Sequence, residues 1–377
     1  MKVSRIILVT LFLFSLVVVP TNSKKSKKSK KPKKIDFDLD YGFGSGLTVD
    51  DQEQKLVDDE KQNPKTGFDK GHLKQGFYSE SCPTAEKIVA DALVEITKTN
   101  PNAIANIIRL QFHDCFVVGC DSSVLLDYTP TGDKVEKSSM LNGQLLKGTD
   151  FIDDIKAKLE EQCPGIVSCT DTIAFSVNEG MFLSGLPRTA PLGGRRDALY
   201  SLASIAEDDN LPMPNWPMEK MVDLFTKKGF TIEEMVILLG AHSIGVAHCD
   251  VFMERIYNYA DTGKPDPLLP FPIVNELQQI CANPGTPLFR NPVVNFDETP
   301  ALLDNLFFKN MVTKKKTLLV TDAHLFNDPR TIPIVEELAK DNGLFQKKFA
   351  EAMVKMGSYN VITGNDGEVR KTCRSTN

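Results

Sequence analysis

The chain has 377 residues, 41% hydrophobic and 25% charged, which are ordinary globular values and enough to bury one large core or two lobes. Its 50 acids outnumber its 44 lysines and arginines, a formal charge of −6 that gives no reason to expect a nucleic-acid partner. The eight cysteines contain no Cys-x-x-Cys pair, which argues against a zinc site and for disulfides in an exported chain.

Residues 1–23 read as a signal peptide. Lys2 and Arg5 form a charged start, and Ile6 to Val19 is an apolar core too short to span a bilayer comfortably. Pro20 to Ser23 is a cleavage zone. No other long apolar run follows, so no membrane span is expected and the product should be soluble and secreted. Residues 24–75 read as a disordered linker, lysine-rich and then acidic, without hydrophobic periodicity. Lys24 to Lys34 holds eight lysines and no acid. Removing those eight and the two cations of the leader from a total of −6 leaves −16 on residues 35–377. The bland reading of the lysine run is a solvated tail. The functional one is attachment to an acidic polysaccharide or a membrane surface.

From residue 76 onward the sequence reads as mainly α. Ala85 to Thr97 places Ile88, Val89, Ala92, Leu93 and Ile96 on one stripe. Ile104 to Phe112 is a helix leading into the densest stretch of the chain. Phe151, Ile152, Ile155 and Leu159 mark another helix, and a further one covers Thr170 to Leu183. Thr231 and Glu234 form a capping box ahead of Met235 to Leu239. Phe345, Phe349, Met353 and Met356 stripe a late helix. Residues 187–191, 211–217 and 264–272 are Pro-rich loops.

The densest stretch runs from Arg109 to Ser123. Arg109 and His113 stand four apart, so a helix puts them on one face, one turn apart. An imidazole accepts a proton near neutral pH, and a guanidinium stays charged and only donates. Together they suit a reaction that moves a proton while negative charge develops on a leaving oxygen. Such a pair by itself is more often a solvated helix face. Here Cys115 and Cys120 bracket a short loop, with Gly119 to allow a turn. Asp114, Asp121 and Ser123 add hard oxygens, which suit calcium once backbone carbonyls complete the shell. A second notable stretch, Leu238 to Cys249, holds His242 among Gly240, Ala241 and Gly245, small residues that let a flat cofactor approach the backbone. A lone histidine there is more often structural than a ligand.

These two stretches, in this order, resemble the distal and proximal haem-pocket signatures of the secretory (class III) plant peroxidases. The similarity runs from about Phe77 to Cys373. The resemblance implies that His242 is the axial ligand of the iron of haem b and that Asp322 is its buried partner. It implies that His113 is the distal base, held by Asn142, and that Arg109 stabilises charge as the O–O bond of hydrogen peroxide breaks. Phe112 and Phe296 would line the haem pocket, and Pro212 would touch the donor. Trp216 would either stack on a phenol or cover the haem edge. Two calcium ions are implied. The distal one would take Asp114, Asp121 and Ser123, the carbonyls of Val117 and Gly119, and Glu136 through water. The proximal one would take Ser243, Asp297, Thr299, the Leu302 carbonyl and Asp304. By sequence alone the eight cysteines allow 105 pairings. The resemblance implies Cys82–Cys163, Cys115–Cys120, Cys169–Cys373 and Cys249–Cys281.

The chain departs from the family pattern in places. The segment Asp297 to Thr299 is one residue short, and Ser243 replaces the usual threonine. Leu239 stands for a serine and Arg188 for a tryptophan, Gly193-Gly194 carries an extra glycine, and Thr149 follows Gly148 in place of phenylalanine. The expected architecture is two helical lobes with haem between them, the distal lobe from about residue 76 to 217 plus the C-terminal segment, the proximal one from about 218 to 340. The expected function is peroxide-dependent oxidation of small phenolic donors by a secreted monomer, in the cell wall or the vacuole. A non-catalytic secreted homologue is the second reading. A haem-free zinc hydrolase is the third, and it lacks any zinc-ligand spacing.

Overall fold

Helices dominate the computed structural model, which describes residues 67–69, 71–283 and 290–377. The signal peptide and the lysine run lie outside the described residues. Helix α1 (Ala85–Thr99) buries Ala85, Val89, Ala92 and Leu93, the stripe expected of it. Helix α2 (Ala103–Val117) is buried on most of its surface from Ile107 onward and carries Arg109 and His113. It packs on α4 (Cys169–Leu183), while α1 packs on both α3 (Thr149–Gln162) and α4. Ser168 caps α4 by accepting from the Asp171 amide at 3.0 Å.

The second half adds α5 (Met218–Lys227), α6 (Ile232–Leu239), α7 (Cys249–Tyr257), α8 (Phe271–Ile280), α9 (Leu306–Lys314), α10 (Val320–Leu325), α11 (Ile332–Lys340) and α12 (Asn342–Met356). The capping box at α6 forms in full: Thr231 accepts from the Glu234 amide and Glu234 accepts from that of Thr231. Sheet structure is slight, as expected. Strand β1 (Lys74–Gln75) pairs with β2 (Leu192–Gly193), and β3 (Val246–His248) pairs antiparallel with β4 (Val293–Asn295).

One large apolar cluster joins α2 and α4 to α5, α6, α9, α11 and α12. A smaller one lies under α1, α3 and α4, and another under α7, α8 and β4. The two halves of the chain therefore share a continuous core.

Ordered structure also begins earlier than the linker reading placed it. Phe68 bridges to Tyr359, Gly67 accepts from the Asn360 amide at 2.5 Å, and the Phe68 ring lies 5.4 Å from Phe230 and 5.6 Å from Tyr359. Asp69 accepts from the amides of Gly71, His72 and Leu73. A short pairing and one aromatic anchor are enough to order this segment, and neither has the periodicity that a sequence scan detects. Helix α8 likewise starts inside the Pro-rich loop, with Pro272 in its first turn.

Candidate active site

Helix α2 delivers the first half of the site. His113 is buried, while Arg109 one turn earlier stays exposed. Arg109 Nε donates to His113 Nε2 at 3.2 Å, and its Nη1 donates to the Leu145 carbonyl at 3.0 Å. On the far side His113 Nδ1 lies 2.8 Å from Asn142 Oδ1. The amide oxygen accepts only, so Nδ1 carries the proton and Nε2 keeps its lone pair toward Arg109. Asn142 is itself held, since its Nδ2 donates to the Glu136 carbonyl at 2.8 Å. Burial, and then the Arg109 charge, push the imidazole down to about 3, against a smaller upward pull from Asn142. His113 is thus a neutral base across the physiological range. Phe112, beside it, stacks on Phe116 at 4.1 Å and meets the His113 ring edge-on at 6.1 Å.

His242 lies in the short turn Gly240–Ser243 that extends α6. Its Nδ1 is 2.8 Å from Asp322 Oδ1, and Asp322 sits fully buried in the first turn of α10. Phe296 stacks on the His242 ring at 4.6 Å with a 4° tilt, and Phe307 meets it edge-on. The small residues around His242 are also required by packing. A Cβ on Gly240 would come within 2.5 Å of Phe345, and one on Gly245, where φ is +81°, within 2.8 Å of Ala105 on α2. These glycines make room for protein packing. Gly119 also differs: its φ is not positive, but a Cβ there would meet the Asn360 carbonyl at 2.4 Å.

Beneath the distal side lies an acidic knot. Asp114, Asp121, Ser123 and Glu136 are all buried. Asp114 Oδ2 accepts from the amides of Asp121 and Ser122, and Asp121 Oδ1 from that of Ser123. Yet Asp114 Oδ1, Ser123 Oγ and both carboxylate oxygens of Glu136 have no hydrogen-bond partner. Burial, and then Asp121, hold Asp114 and Glu136 well above the usual carboxylate range, and burial pushes Asp121 up to about 6. Buried orphan oxygens on two acids and a serine, with the Asp121 carboxylate alongside in the chain, fit a hard divalent cation with oxygen ligands. No three His, Cys, Asp or Glu side chains among the described residues converge on one point, so the carbonyls of Val117 and Gly119 are needed to complete such a shell.

The proximal set is looser. The β3–β4 pairing opposes Val246 to Asn295, which brings Ser243 and the 297–304 loop to the same end of the ribbon. Ser243 Oγ and Asp297 Oδ2 are buried without a partner, and burial pushes Asp297 up to about 6. Thr299 donates to Asp297 Oδ1 through both its amide and its hydroxyl. The Leu302 carbonyl accepts from the Asp304 amide at 3.1 Å, and Asp304 Oδ1 accepts from the amide of Leu306 at 2.8 Å, just inside α9. The short segment leaves these donors near one another, with two oxygens free.

Pro212 is half-buried beside Leu211 in the 211–217 loop, which is tied to α10 where Thr321 donates to the Pro214 carbonyl at 3.1 Å. Trp216 is 7% exposed, in the main core with the Lys220 ammonium 4.0 Å from its ring centroid. The unusual Arg188 holds Glu179 through two bonds of 2.6 and 2.8 Å and lies 3.8 Å over Phe182. Gly193 and Gly194 lie against Phe77, and the Gly194 amide donates to Asp171. All four implied disulfides form, and no described cysteine is free. Two buried arginines escaped the sequence reading. Arg255 bonds Asp266, and Arg370 donates to the carbonyls of Ser122, Ala198 and Cys373. The one available signal for Arg255 was its place between Phe252 and Ile256 on the apolar face of α7.

Known proteins resemble this chain over most of its length. A family model described as peroxidase matches residues 89–341. Peroxidase 28 of Arabidopsis thaliana is 40% identical over 305 residues, covering 81% of this chain and 93% of the relative. Peroxidase C2 of Armoracia rusticana is 37% identical over 310 residues, covering 81% and 88%. The chain belongs to the plant peroxidase family, among its secretory (class III) members.

Proposed function

We propose that this peroxidase holds haem b between His113 and His242 and uses hydrogen peroxide to oxidise small phenolic donors one electron at a time. The observation that carries the reading is the pair of histidines. Each has its Nδ1 fixed at 2.8 Å from an oxygen, one by a neutral amide and one by a buried carboxylate. Haem iron, when bound, supplies the redox centre that accepts and passes electrons. His242, electron-rich through Asp322, would be its protein ligand, with Phe296 packed on the imidazole. On the opposite side, peroxide would enter between Arg109 and His113. Its proton would go to His113 Nε2, and the guanidinium would stabilise the charge on the departing oxygen. The same imidazole would return the proton, so that water leaves. Over a cycle one peroxide and two phenols give two waters and two phenoxyl radicals.

The distal residues Asp114, Val117, Gly119, Asp121, Ser123 and Glu136 would hold one calcium ion, and Ser243, Asp297, Thr299, Leu302 and Asp304 a second. Pro212 edges the donor site. The enzyme would work as a secreted monomer in the cell wall or vacuole, on lignin precursors or wall phenolics. Among the described residues no helix is long and apolar enough to cross a membrane. The Lys24–Lys34 run would hold it to acidic polysaccharide. Unchanged retention on a pectate matrix at low salt after deleting residues 24–34 would remove that part.

The test of the whole is the absorption spectrum before and after one equivalent of hydrogen peroxide. A Soret band that bleaches and recovers with a phenol is expected. No Soret band after haem-replete expression overturns the reading.

A further inference from the structure

Arg255 belongs to neither histidine pair, yet it is one of the most deeply buried cations of the molecule. Its Nε donates to Asp266 Oδ2 at 2.8 Å. Its Nη1 lies 2.9, 3.0 and 2.8 Å from the carbonyls of Thr317, Leu318 and Leu319. Three successive carbonyls can meet one nitrogen only if the chain curls around it. Leu319 is the residue that enters α10, and Asp322 follows in the first turn. The guanidinium therefore gathers the chain at the point where that helix begins. Two further atoms nearby in the chain path are unsatisfied: Arg255 Nη2 and Asp322 Oδ2 are both buried without a hydrogen-bond partner. Burial pushes the Arg255 guanidinium down, and the carboxylates of Asp266 and Asp322 pull it back up, so the two charges sense each other.

We propose that Arg255 is a positioning residue for the proximal pair: it sets the start of α10, and with it the Asp322 carboxylate, and its charge tempers the negative charge that Asp322 presents to His242. This rests on His242 being the axial ligand. A carboxylate partner makes that ligand a stronger donor and favours ferric iron. Removing the opposing cation should strengthen the effect.

The test is the reduction potential of the haem-loaded enzyme, measured by spectroelectrochemistry. Arg255→Met should lower it, raising the ferric-to-ferrous ratio at the wild-type midpoint roughly tenfold. Arg255→Lys keeps the charge and should give less than half that shift. In an Asp322→Asn background, Arg255→Met should shift nothing. Equal shifts in both backgrounds, equal shifts for Met and Lys, or no shift for Met would make Arg255 a plain packing residue and overturn the proposal. Should Arg255→Met not fold, Asp266→Asn reads the same coupling with opposite sign. It frees the Arg255 charge and should raise the potential only while Asp322 is present; a rise that persists without Asp322 overturns the proposal. If Asp322→Asn alone leaves the potential unchanged, the axial pairing itself is wrong, and this inference falls with it.

Discussion

The distal and proximal sides present the same local geometry with different charge. His113 and His242 each point Nδ1 at an oxygen 2.8 Å away. At His113 the oxygen belongs to an amide, and the ring is buried beside a guanidinium. Burial and the guanidinium outweigh the small upward pull of the amide, so the ring stays a free base. At His242 the oxygen belongs to a buried carboxylate, which pulls the Nδ1 proton and loads the other nitrogen with charge. Hydrogen-bond length alone does not separate a base from a ligand. On the proposed reading the charge of the partner does, and the low dielectric around the buried His113 and Asp322 magnifies the difference.

The sharpest way to break this comparison is to remove the base. His113→Leu should slow the reaction with peroxide by about a thousandfold while the Soret band persists, as stopped-flow spectra would show. A loss shared equally by His242→Leu with haem retained would erase the distinction. The next test turns one side into the other. Asn142→Asp gives His113 a charged partner and so raises its pKa from about 3. The base is active only when neutral, so the acid limb of the peroxide rate should move up toward the ordinary imidazole range. A limb that stays near pH 3 would show that the amide is incidental.

The ion proposed beneath the distal side gives a test with a definite sign. Asp114, Asp121 and Glu136 have raised pKa values, so without a cation they bind protons in the folded state. Their contribution to stability is then fully present below the ordinary carboxylate range and lost as pH rises through each raised pKa, which for Asp121 is about 6. Chelated protein should therefore be more stable at pH 5 than at pH 7. Calcium at a hundredfold excess over its Kd should restore about 2.7 kcal/mol at pH 7. Denaturant melts at both pH values, with and without chelator, check this. The smallest effect is structural: Thr231→Ala should cost about 1 kcal/mol by unmaking the α6 cap, with no change in the peroxide rate.

Much of this protein was legible in residues that act locally. The apolar stripe of α1 and the capping box of α6 depend on neighbours three or four positions away, so they can be read along the chain. Arg109 and His113 share a helical turn and could be paired for the same reason. Asn142, Asp322 and the three long-range disulfides were reached only through resemblance, because their partners lie 29, 80 and up to 204 positions away. What tertiary structure alone decided is of that longer range. The ordering of residues 67–69 depends on Tyr359 and Phe230, and the glycines at 240 and 245 answer to Phe345 and Ala105. Trp216 is turned inward under Lys220, and the carbonyls of Thr317 to Leu319 at the entry to α10 are held by Arg255 from another helix. The sequence by itself determined the helices and the types of side chain available for proton transfer and for holding a cation. Which of them meet, and which stay buried without a partner, was decided by packing between distant segments, because burial and charge neutralisation are properties of a closed three-dimensional core.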